Sequence, residues 1–172
     1  TEIIRPVLDA LDERGTPYVG VLYVGLMITN SGPKVIEFNC RFGDPETQVV
    51  LPRLKNDLLE VMIGTTIGDS FPEVLNWSPN ACVGVVLTSG GYPDVYDVGH
   101  VINNLDVVGP TALVFHSGTK NSGTGVVSSG GRVLTVTALG NNLEEARISA
   151  YEGVSRITFA NKYSRSDIAL VN

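Results

Sequence analysis

The sequence has few cysteines and few basic residues, and these shortages argue against several classes of protein. Cys40 and Cys82 are the only cysteines in 172 residues, and neither has a C-x-x-C partner or a neighbouring histidine. We therefore expect two buried thiols in a reducing compartment, the cytoplasm, without a disulfide or a cysteine-bound metal. Twelve Lys and Arg against 18 Asp and Glu give a net charge of −6. This balance argues against nucleic acid as the main partner, because a phosphate-backbone binder needs a basic face.

Long apolar runs and a high content of charge are also missing. No apolar stretch reaches the roughly 18 residues of a membrane span, so we expect no membrane partner. Apolar residues make up 43% of the chain, close to an ordinary globular composition, whereas charged residues make up only 17%, below the usual quarter. The low charge favours a well-buried or partner-covered chain over a disordered one. The chain starts at Thr1 inside a helical pattern and without Met. We expect it to be part of a longer polypeptide.

The first part of the chain predicts a helix and a hairpin. Apolar residues recur at helical spacing over 2–14. The β-branched and aromatic residues of 18–29 and 34–40 predict two strands. Turn-forming residues at 30–33 join these strands, so we expect an antiparallel hairpin.

A helical period follows from Thr47, but Pro52 disturbs it. Either a kink or two successive helices would fit, with Asn56 or Asp57 as the cap of the second helix. Residues 64–80 are rich in Gly, Pro and Ser and predict loop and short helix. We place a domain boundary at the end of this stretch. The predicted domains are 1–79 and 80–172.

The second domain alternates short strands with turns and then forms one long helix. Strands are predicted at 81–89, 112–119, 125–129 and 132–140. Asn142 precedes a run with helical spacing, and Glu144 and Glu145 suit the first turn of that helix. Strands followed by a helix argue for an α+β fold.

Polar side chains are concentrated in one stretch, KVIEFNCRFGDPETQ, at 34–48. Alternate side chains of a strand point the same way, so Glu37 and Asn39 share a face, and Arg41 continues the row if the strand extends. A carboxylate and an amide oxygen form a workable half-site for Mg²⁺, with phosphates and water completing it. Arg41 offers a planar fork for phosphate or carboxylate.

A sharp turn, RFGDP, ends this stretch. Gly43 permits a positive φ, and Pro45 restrains Asp44 to an extended conformation. Asp44 could then accept hydrogen bonds from an amine or hydroxyl of a substrate. Glu46 starts the next helix, where the helix dipole stabilises an acid, so we expect a capping role for it.

These residues closely resemble the signature of the glycinamide ribonucleotide synthetase (phosphoribosylamine–glycine ligase) family of ATP-grasp enzymes, here VIEFNCRFGDPETQ. Further segments of that family are similar, in the same order, to PYVGVLYVGLMI, LTSGGYPDVYDVGHVI, VFHSGT and GGRVLTVTALG. The resemblance covers nearly the whole chain. It implies the last part of an ATP-grasp core, with antiparallel strands and helices, followed by a small β-rich C-terminal domain with one long helix.

The resemblance also implies an activity and roles for named residues. The family joins glycine to 5-phosphoribosylamine through a glycyl phosphate, at the expense of ATP, and forms glycinamide ribonucleotide in purine biosynthesis. Glu37 and Asn39 would be the Mg²⁺ or Mn²⁺ ligands near the ATP phosphates. Arg41 would contact the phosphates or the acyl phosphate, and Asp44 the amine of glycine or phosphoribosylamine. Arg41 and Asp44 are thus the candidate catalytic residues.

Small residues also surround Arg132 and His116, in the segments SGGYP, HSGT and SSGGR. Glycine pairs allow a ligand to approach the backbone closely. In the resembled family these loops face the active site, so Arg132 is a candidate contact to a substrate phosphate or carboxylate. A surface ion pair is the alternative for Arg132. We expect His116 to be a packed strand residue.

The family also has parts that these 172 residues do not resemble. They are an N-terminal domain and an ATP-grasp lid, and we expect both as partners within the same polypeptide. A purine enzyme fused downstream is a further predicted partner. We expect the chain alone to be inactive. The tail KYSRSDIALVN differs from the family's usual YRRDIG, which leaves a substrate role for the tail in doubt.

Two alternative functions stay open at this point. The chain could be a non-catalytic binding or assembly module with the same fold, although the joint presence of Glu37, Asn39, Arg41 and Asp44 argues against that. It could also belong to another ATP-grasp carboxylate–amine ligase. The run RFGDPETQ argues against this second alternative, because related ligases share the metal pair but differ after it.

Overall fold

The computed structural model describes residues 2–67, 74–123 and 125–170, and its contacts divide the chain into two units. The first unit comprises Thr1–Asp44 and Leu54–Trp77, and the second comprises Pro45–Arg53 and Ser78–Asn172. The segment Pro45–Arg53 thus packs with the second unit, although it begins inside the polar stretch 34–48, whose first part belongs to the first unit. The predicted domains, 1–79 and 80–172, stay a prediction, because contacts alone do not show which parts fold independently.

The first unit begins with the predicted helix and hairpin. Helix α1 spans Ile4–Glu13, and strands β1 (Tyr23–Thr29) and β2 (Gly32–Asn39) pair antiparallel. Thr29 pairs with Gly32, so only two residues form the turn. Gly32 has a φ of +94°, a conformation that residues with a Cβ rarely adopt.

Strand β1 starts five residues later than the predicted 18–29, at Tyr23. The Tyr18 hydroxyl donates to the Val21 carbonyl at 2.8 Å, and Gly20 has a φ of +139°. This local hydrogen bond and the glycine conformation hold the backbone in a loop, which the apolar composition of the segment did not reveal.

Two successive helices follow the turn, as one of the two alternatives predicted. Helix α2 spans Thr47–Val50 and runs into a 3₁₀ turn over Leu51–Arg53, while α3 spans Leu58–Ile67. Asp57 caps α3, because its Oδ1 accepts the backbone N–H groups of Leu59 at 2.8 Å and Glu60 at 3.1 Å. The helix therefore covers the start of the predicted loop region 64–80, and residues 68–73 of that region lie outside the described residues.

The second unit is built on an antiparallel sheet. Its elements are β3 (Ala81–Ser89), β4 (Ala112–His116), β5 (Thr119–Asn121), β6 (Val126–Ser128), β7 (Arg132–Gly140), α4 (Leu143–Arg156) and β8 (Lys162–Tyr163). Among the described residues the main sheet has the order β4-β7-β3-β8, and β5 pairs with β6. The four predicted strands and the helix are confirmed, and so is the α+β class. Strand β5 was not predicted as a separate element, because its first residue lay at the end of the strand predicted at 112–119. Strand β8 was not predicted, because two residues carry no periodicity.

The core of the second unit lies between this sheet and α4. Alternate residues of β3, namely Val83, Val85 and Leu87, are buried on the helix side. Gly153 lets α4 approach β7 closely, since a Cβ there would lie 2.8 Å from Cγ1 of Val136. This face of β3 is therefore committed to packing. Part of the other face is covered by α2, since a Cβ at Gly84 would lie 2.8 Å from Cγ1 of Val49.

Both ends of α4 are capped by side chains. Asn142 Oδ1 accepts the backbone N–H of Glu145 at 2.9 Å, at the start of the helix. The Lys162 ammonium donates to the carbonyls of Val154 at 2.8 Å and Ile157 at 2.6 Å, at the other end. Burial lowers the pKa of Lys162 below its ordinary value. In the described part of the chain, no helix is long and apolar enough to cross a membrane.

Candidate functional site

Glu37 and Asn39 lie side by side near the end of β2. Their partners across the hairpin are Gly25 and Tyr23, respectively. Asn39 Nδ2 donates to Glu37 Oε1 at 2.9 Å, so the two side chains share one face as predicted. A Cβ at Gly25 would lie 3.2 Å from Cγ of Glu37. The glycine therefore gives the Glu37 side chain room to lie over the neighbouring strand.

The donor set of this pair fits a hard divalent cation. The hydrogen bond uses the NH₂ group of Asn39, and the amide oxygen is the atom that suits Mg²⁺ or Mn²⁺. Within residues 2–67, 74–123 and 125–170, no group of three or more His, Cys, Asp and Glu side chains could hold a metal ion. A cation bound by Glu37 and Asn39 would take its other ligands from outside this pair, and phosphates and water are suitable oxygen ligands.

Arg41 lies in the loop after the hairpin, because β2 ends at Asn39. It does not continue the row of strand side chains, and its Nη1 donates to the Phe42 carbonyl at 2.8 Å. Gly43 is buried, whereas the Asp44 side chain at the end of the turn is exposed. Both predicted catalytic side chains, Arg41 and Asp44, are therefore carried by one short loop directly after the Glu37–Asn39 pair.

Glu46 stands at the start of α2, as predicted, but it does not cap the helix through its carboxylate. Within the described residues its side chain makes no capping hydrogen bond. Its carbonyl accepts the N–H groups of Val49 and Val50, each at 3.0 Å. The backbone rather than the side chain thus closes the first turn.

The three glycine-rich loops of the second unit meet. Gly118 N donates to the Arg132 carbonyl at 2.9 Å, and Ser129 N donates to the Gly118 carbonyl at 2.7 Å. Ser89 N donates to the Gly131 carbonyl at 2.8 Å. A Cβ at Gly118 would lie 2.6 Å from the Arg132 carbonyl oxygen. These glycines are needed for backbone-to-backbone packing, which fixes the position of the segment before Arg132.

Arg132 lines a cavity of about 380 Å³ within the second unit. Thr88, Tyr92, Tyr163, Ser164 and Arg165 line the same cavity, together with apolar residues. A Cβ at Gly131 would overlap the Tyr92 ring, so this glycine allows the tyrosine to pack next to Arg132. The sequence identified Arg132, but the other polar residues of this cavity were not predicted.

His116 and the two cysteines differ from the expectations. His116 ends β4, but its side chain is exposed rather than packed, and Nδ1 lies 2.9 Å from Thr119 Oγ1. Cys40 is an exposed thiol, and Cys82 is half-buried. Burial raises the pKa of Cys82, and the nearby Arg53 opposes that shift. The expectation that both thiols are buried is therefore wrong for Cys40, which lies in the loop just after β2.

Comparisons with known proteins decide the family. A model of the phosphoribosylglycinamide synthetase C domain matches residues 82–171, just over half of the chain. The chain belongs to the phosphoribosylglycinamide synthetase family. A model of the ATP-grasp (A) domain of this family matches residues 1–47. The resemblance seen in the sequence is confirmed, and the described fold fits it.

The relatives of the chain are longer proteins named phosphoribosylamine–glycine ligase. The one from Allochromatium vinosum is 47% identical over 169 residues, which cover 97% of this chain and 40% of that protein. The one from Streptomyces coelicolor is 48% identical, with 97% and 41% covered. A crystal structure of phosphoribosylamine–glycine ligase from Thermotoga maritima matches with a TM-score of 0.77 and 33% identity, covering 92% of this chain and 39% of that chain. The chain thus spans about 40% of the length of the curated relatives it matches.

Proposed function

We propose that the chain forms the last part of the ATP-grasp core and the C-terminal domain of a ligase that joins glycine to 5-phosphoribosylamine. In this reaction ATP phosphorylates the glycine carboxylate, giving ADP and glycyl phosphate. The amine of phosphoribosylamine then attacks the acyl carbon, and phosphate leaves as glycinamide ribonucleotide forms. The names of the relatives and the two family models support this proposal.

The single observation that carries the proposal is the Glu37–Asn39 pair, joined at 2.9 Å on one face of β2. These two residues would hold Mg²⁺ or Mn²⁺ through the carboxylate and the amide oxygen. Such a cation, when bound, offsets the charge of the ATP phosphates and of the transferred phosphoryl group. The hydrogen bond between Asn39 Nδ2 and Glu37 Oε1 keeps the two side chains next to each other.

Arg41, Asp44 and Arg132 would contact the reacting molecules. Arg41 would exchange its bond to the Phe42 carbonyl for stronger, charge-assisted bonds to the phosphates or the acyl phosphate. The exposed carboxylate of Asp44 would accept a hydrogen bond from the amine of glycine or phosphoribosylamine and so orient it. Arg132 would contact a substrate phosphate or carboxylate.

The partners we propose are the remaining domains of the same polypeptide, an N-terminal domain and a lid. Large apolar side chains of the hairpin support this, since Ile28 is 77% and Ile36 is 63% exposed in this chain. Apolar surface of this kind is normally covered in a folded protein. The chain spans only about 40% of the length of the curated relatives, which also supports the presence of further domains. The cytoplasm and a fused downstream purine enzyme stay predictions.

The test is Glu37→Ala in a polypeptide of the relatives' length that contains this chain. Loss of a ligand for a cation that supplies several kcal/mol of charge stabilisation should lower Mg²⁺- and ATP-dependent turnover by roughly 100-fold or more. Glu60→Ala is the control, because Glu60 is an exposed acid of α3. Turnover near that of the unmodified protein for Glu37→Ala would contradict the assignment.

The same assay separates the alternatives. A non-catalytic binding module would show no turnover with any substrate, even with all domains present. Another carboxylate–amine ligase would form ADP only when an amine other than phosphoribosylamine is supplied. Formation of glycinamide ribonucleotide from glycine and phosphoribosylamine would exclude both.

A further inference from the structure

Strand β2 contains a β-bulge shortly before its end. On the side of the turn Val35 pairs with Leu26, and beyond the bulge Glu37 pairs with Gly25. Two successive residues of β1 thus lie opposite three of β2, and Ile36 is the extra residue. A bulge of this kind changes the phase in which side chains alternate along its strand. The faces of β2 therefore cannot be assigned by odd and even positions across Ile36.

The regular strand β1 shows which side chains of the hairpin share a face. Partners in an antiparallel pair point to the same side, and the residues of β1 alternate between the two sides. One face carries apolar side chains only, namely Val24, Leu26, Ile28, Pro33, Val35 and Phe38. The other face includes the partners Tyr23 and Asn39, Gly25 and Glu37, and Met27 and Lys34. The bulge thus places Lys34 on the same face as the two proposed metal ligands.

The apolar face of the hairpin is directed at α1. Val24, Leu26 and Pro33 line a cavity of the first unit together with Ile4 of α1. The face with Lys34 is consequently directed away from this helix. Its polar side chains do not take part in this packing.

Lys34 lies close enough to Glu37 to share a ligand with it. Its partner Met27 is two residues from Gly25, the partner of Glu37, and two residues of a strand span roughly 7 Å. The flexible four-carbon stem of a lysine can cover much of this distance. Lys34 is exposed, and within the described residues its ammonium makes no hydrogen bond or ion pair. Its charge is therefore free to meet an anion.

The order of groups on this face matches a polyphosphate. The loop with Arg41 follows Asn39 at one end of the row, and Lys34 lies beyond Glu37 at the other end. The pair of oxygen donors is thus flanked by two cationic side chains. A polyphosphate is an extended anion, so a metal ion and separate cationic side chains can offset different parts of its charge. A single carboxylate group would reach only one of these positions.

We infer that Lys34 contacts the nucleotide at a phosphate remote from the transferred phosphoryl group, with Arg41 and the metal pair at the transferred one. This contact is the same before and after the transfer, so it strengthens the binding of ATP and ADP alike. The identity of the nucleotide rests on the proposed function. The phosphate contact itself does not depend on which carboxylate and amine are joined.

The experiment is calorimetric titration with ADP and with adenosine, in the presence of Mg²⁺, of a polypeptide of the relatives' length that contains this chain. Lys34→Gln should weaken the binding of ADP roughly tenfold and leave the binding of adenosine unchanged. Lys34→Arg keeps the positive charge and should bind ADP nearly as well as the unmodified protein. Arg5→Gln is the control, because Arg5 is an exposed cation of α1, on the side of the apolar face. It should change neither affinity.

Steady-state turnover gives a second readout. A contact that is equally strong in the ground state and the transition state affects KM but not kcat. Lys34→Gln should therefore raise KM for ATP at unchanged kcat, whereas Arg41→Gln, at the transferred group, should lower kcat. Thermal unfolding is measured for every variant, and Lys34→Ala replaces Lys34→Gln if the latter fails to fold.

Three results would overturn the inference. They are an absence of ADP binding by the unmodified protein, an unchanged affinity for ADP in the folded Lys34→Gln variant, and an equal loss of affinity for adenosine. If no glycinamide ribonucleotide forms, the proposed function is lost, but a selective loss of ADP binding in Lys34→Gln would still support the phosphate contact. Ligase activity together with unchanged ADP affinity would retain the function and refute the role of Lys34.

Discussion

Lys162→Met should destabilise the second unit, because Lys162 closes the C-terminal end of α4. Its ammonium donates to two carbonyls, of Val154 and Ile157, at 2.8 and 2.6 Å. The last carbonyls of a helix have no partner within the helix, so the substitution leaves two acceptors without these bonds. Methionine retains most of the apolar stem, and the change therefore tests the hydrogen bonds rather than the packing.

The magnitude follows from opposing terms. A hydrogen bond to a charged group contributes about 1.5–3 kcal/mol. Removing the ammonium also removes the cost of desolvating it, and this cost is what lowers the pKa of Lys162. Water reaches part of the site, because the residue is only partly buried. For the two bonds together we expect a net loss of about 2 kcal/mol in the free energy of unfolding. This corresponds to a fall in Tm of roughly 4–8 °C for a chain of this size.

The pH dependence of this loss has a definite sign. The folded pKa of Lys162 is below the ordinary value of 10.5, so between these two values the unfolded chain binds more protons than the folded chain. The stability supplied by Lys162 therefore rises with pH in that window. The difference in unfolding free energy between the unmodified chain and Lys162→Met should grow as the pH approaches 10.5.

Urea unfolding followed by far-ultraviolet circular dichroism measures this difference at several pH values. Lys120→Met is the matched control, since Lys120 is exposed on β5 and its loss should change stability by no more than about 0.5 kcal/mol. A Lys162→Met variant as stable as this control would refute the reasoning. So would a difference that shrinks as the pH rises towards 10.5.

Three further predictions concern other parts of the chain. Asn142→Ala removes the side-chain cap of α4 and should cost about 1 kcal/mol in urea unfolding, and a cost near zero would contradict the capping role. Gly131→Ala places a Cβ inside the Tyr92 ring and should cost about 1–3 kcal/mol in urea unfolding, because the ring must move; unchanged stability would contradict the close packing of this glycine. Cys40 is exposed, whereas Cys82 is half-buried with a raised pKa. Cys40 should therefore react first with a thiol reagent near neutral pH, and faster labelling of Cys82, followed by mass spectrometry, would disprove this order.

Elements with a clear period could be predicted from the sequence. Helices α1 and α4, the hairpin and strands β3, β4 and β7 carry enough alternating or helical positions to be recognised. The Glu37–Asn39 pair could be predicted as well, because its geometry depends only on the alternation of side chains along one strand. The position of Arg41 was harder to predict, because it depends on whether β2 continues past Asn39.

The cavity of the second unit could not be predicted in the same way. Tyr163 lines it next to Thr88 only because β8, two residues long, pairs with the end of β3. Arg165 reaches the cavity because α4 holds the tail through bonds between residues 14 to 21 positions apart. The packing of Pro45–Arg53 with the second unit likewise depends on tertiary contacts. No local pattern encodes such long-range pairings, although the Arg165–Asp167 spacing was a signal that we did not use.

The attachment of the tail through Tyr151 has a consequence for the dynamics of the chain. The N–H of Ile168 donates to a side-chain hydroxyl instead of to a carbonyl of a helix or a strand ladder. Hydrogen exchange at this amide therefore reports detachment of the tail as a local opening, whereas amides in the middle of β7 exchange only when the sheet unfolds. A single amide thus measures how much of the time Arg165 is held in place.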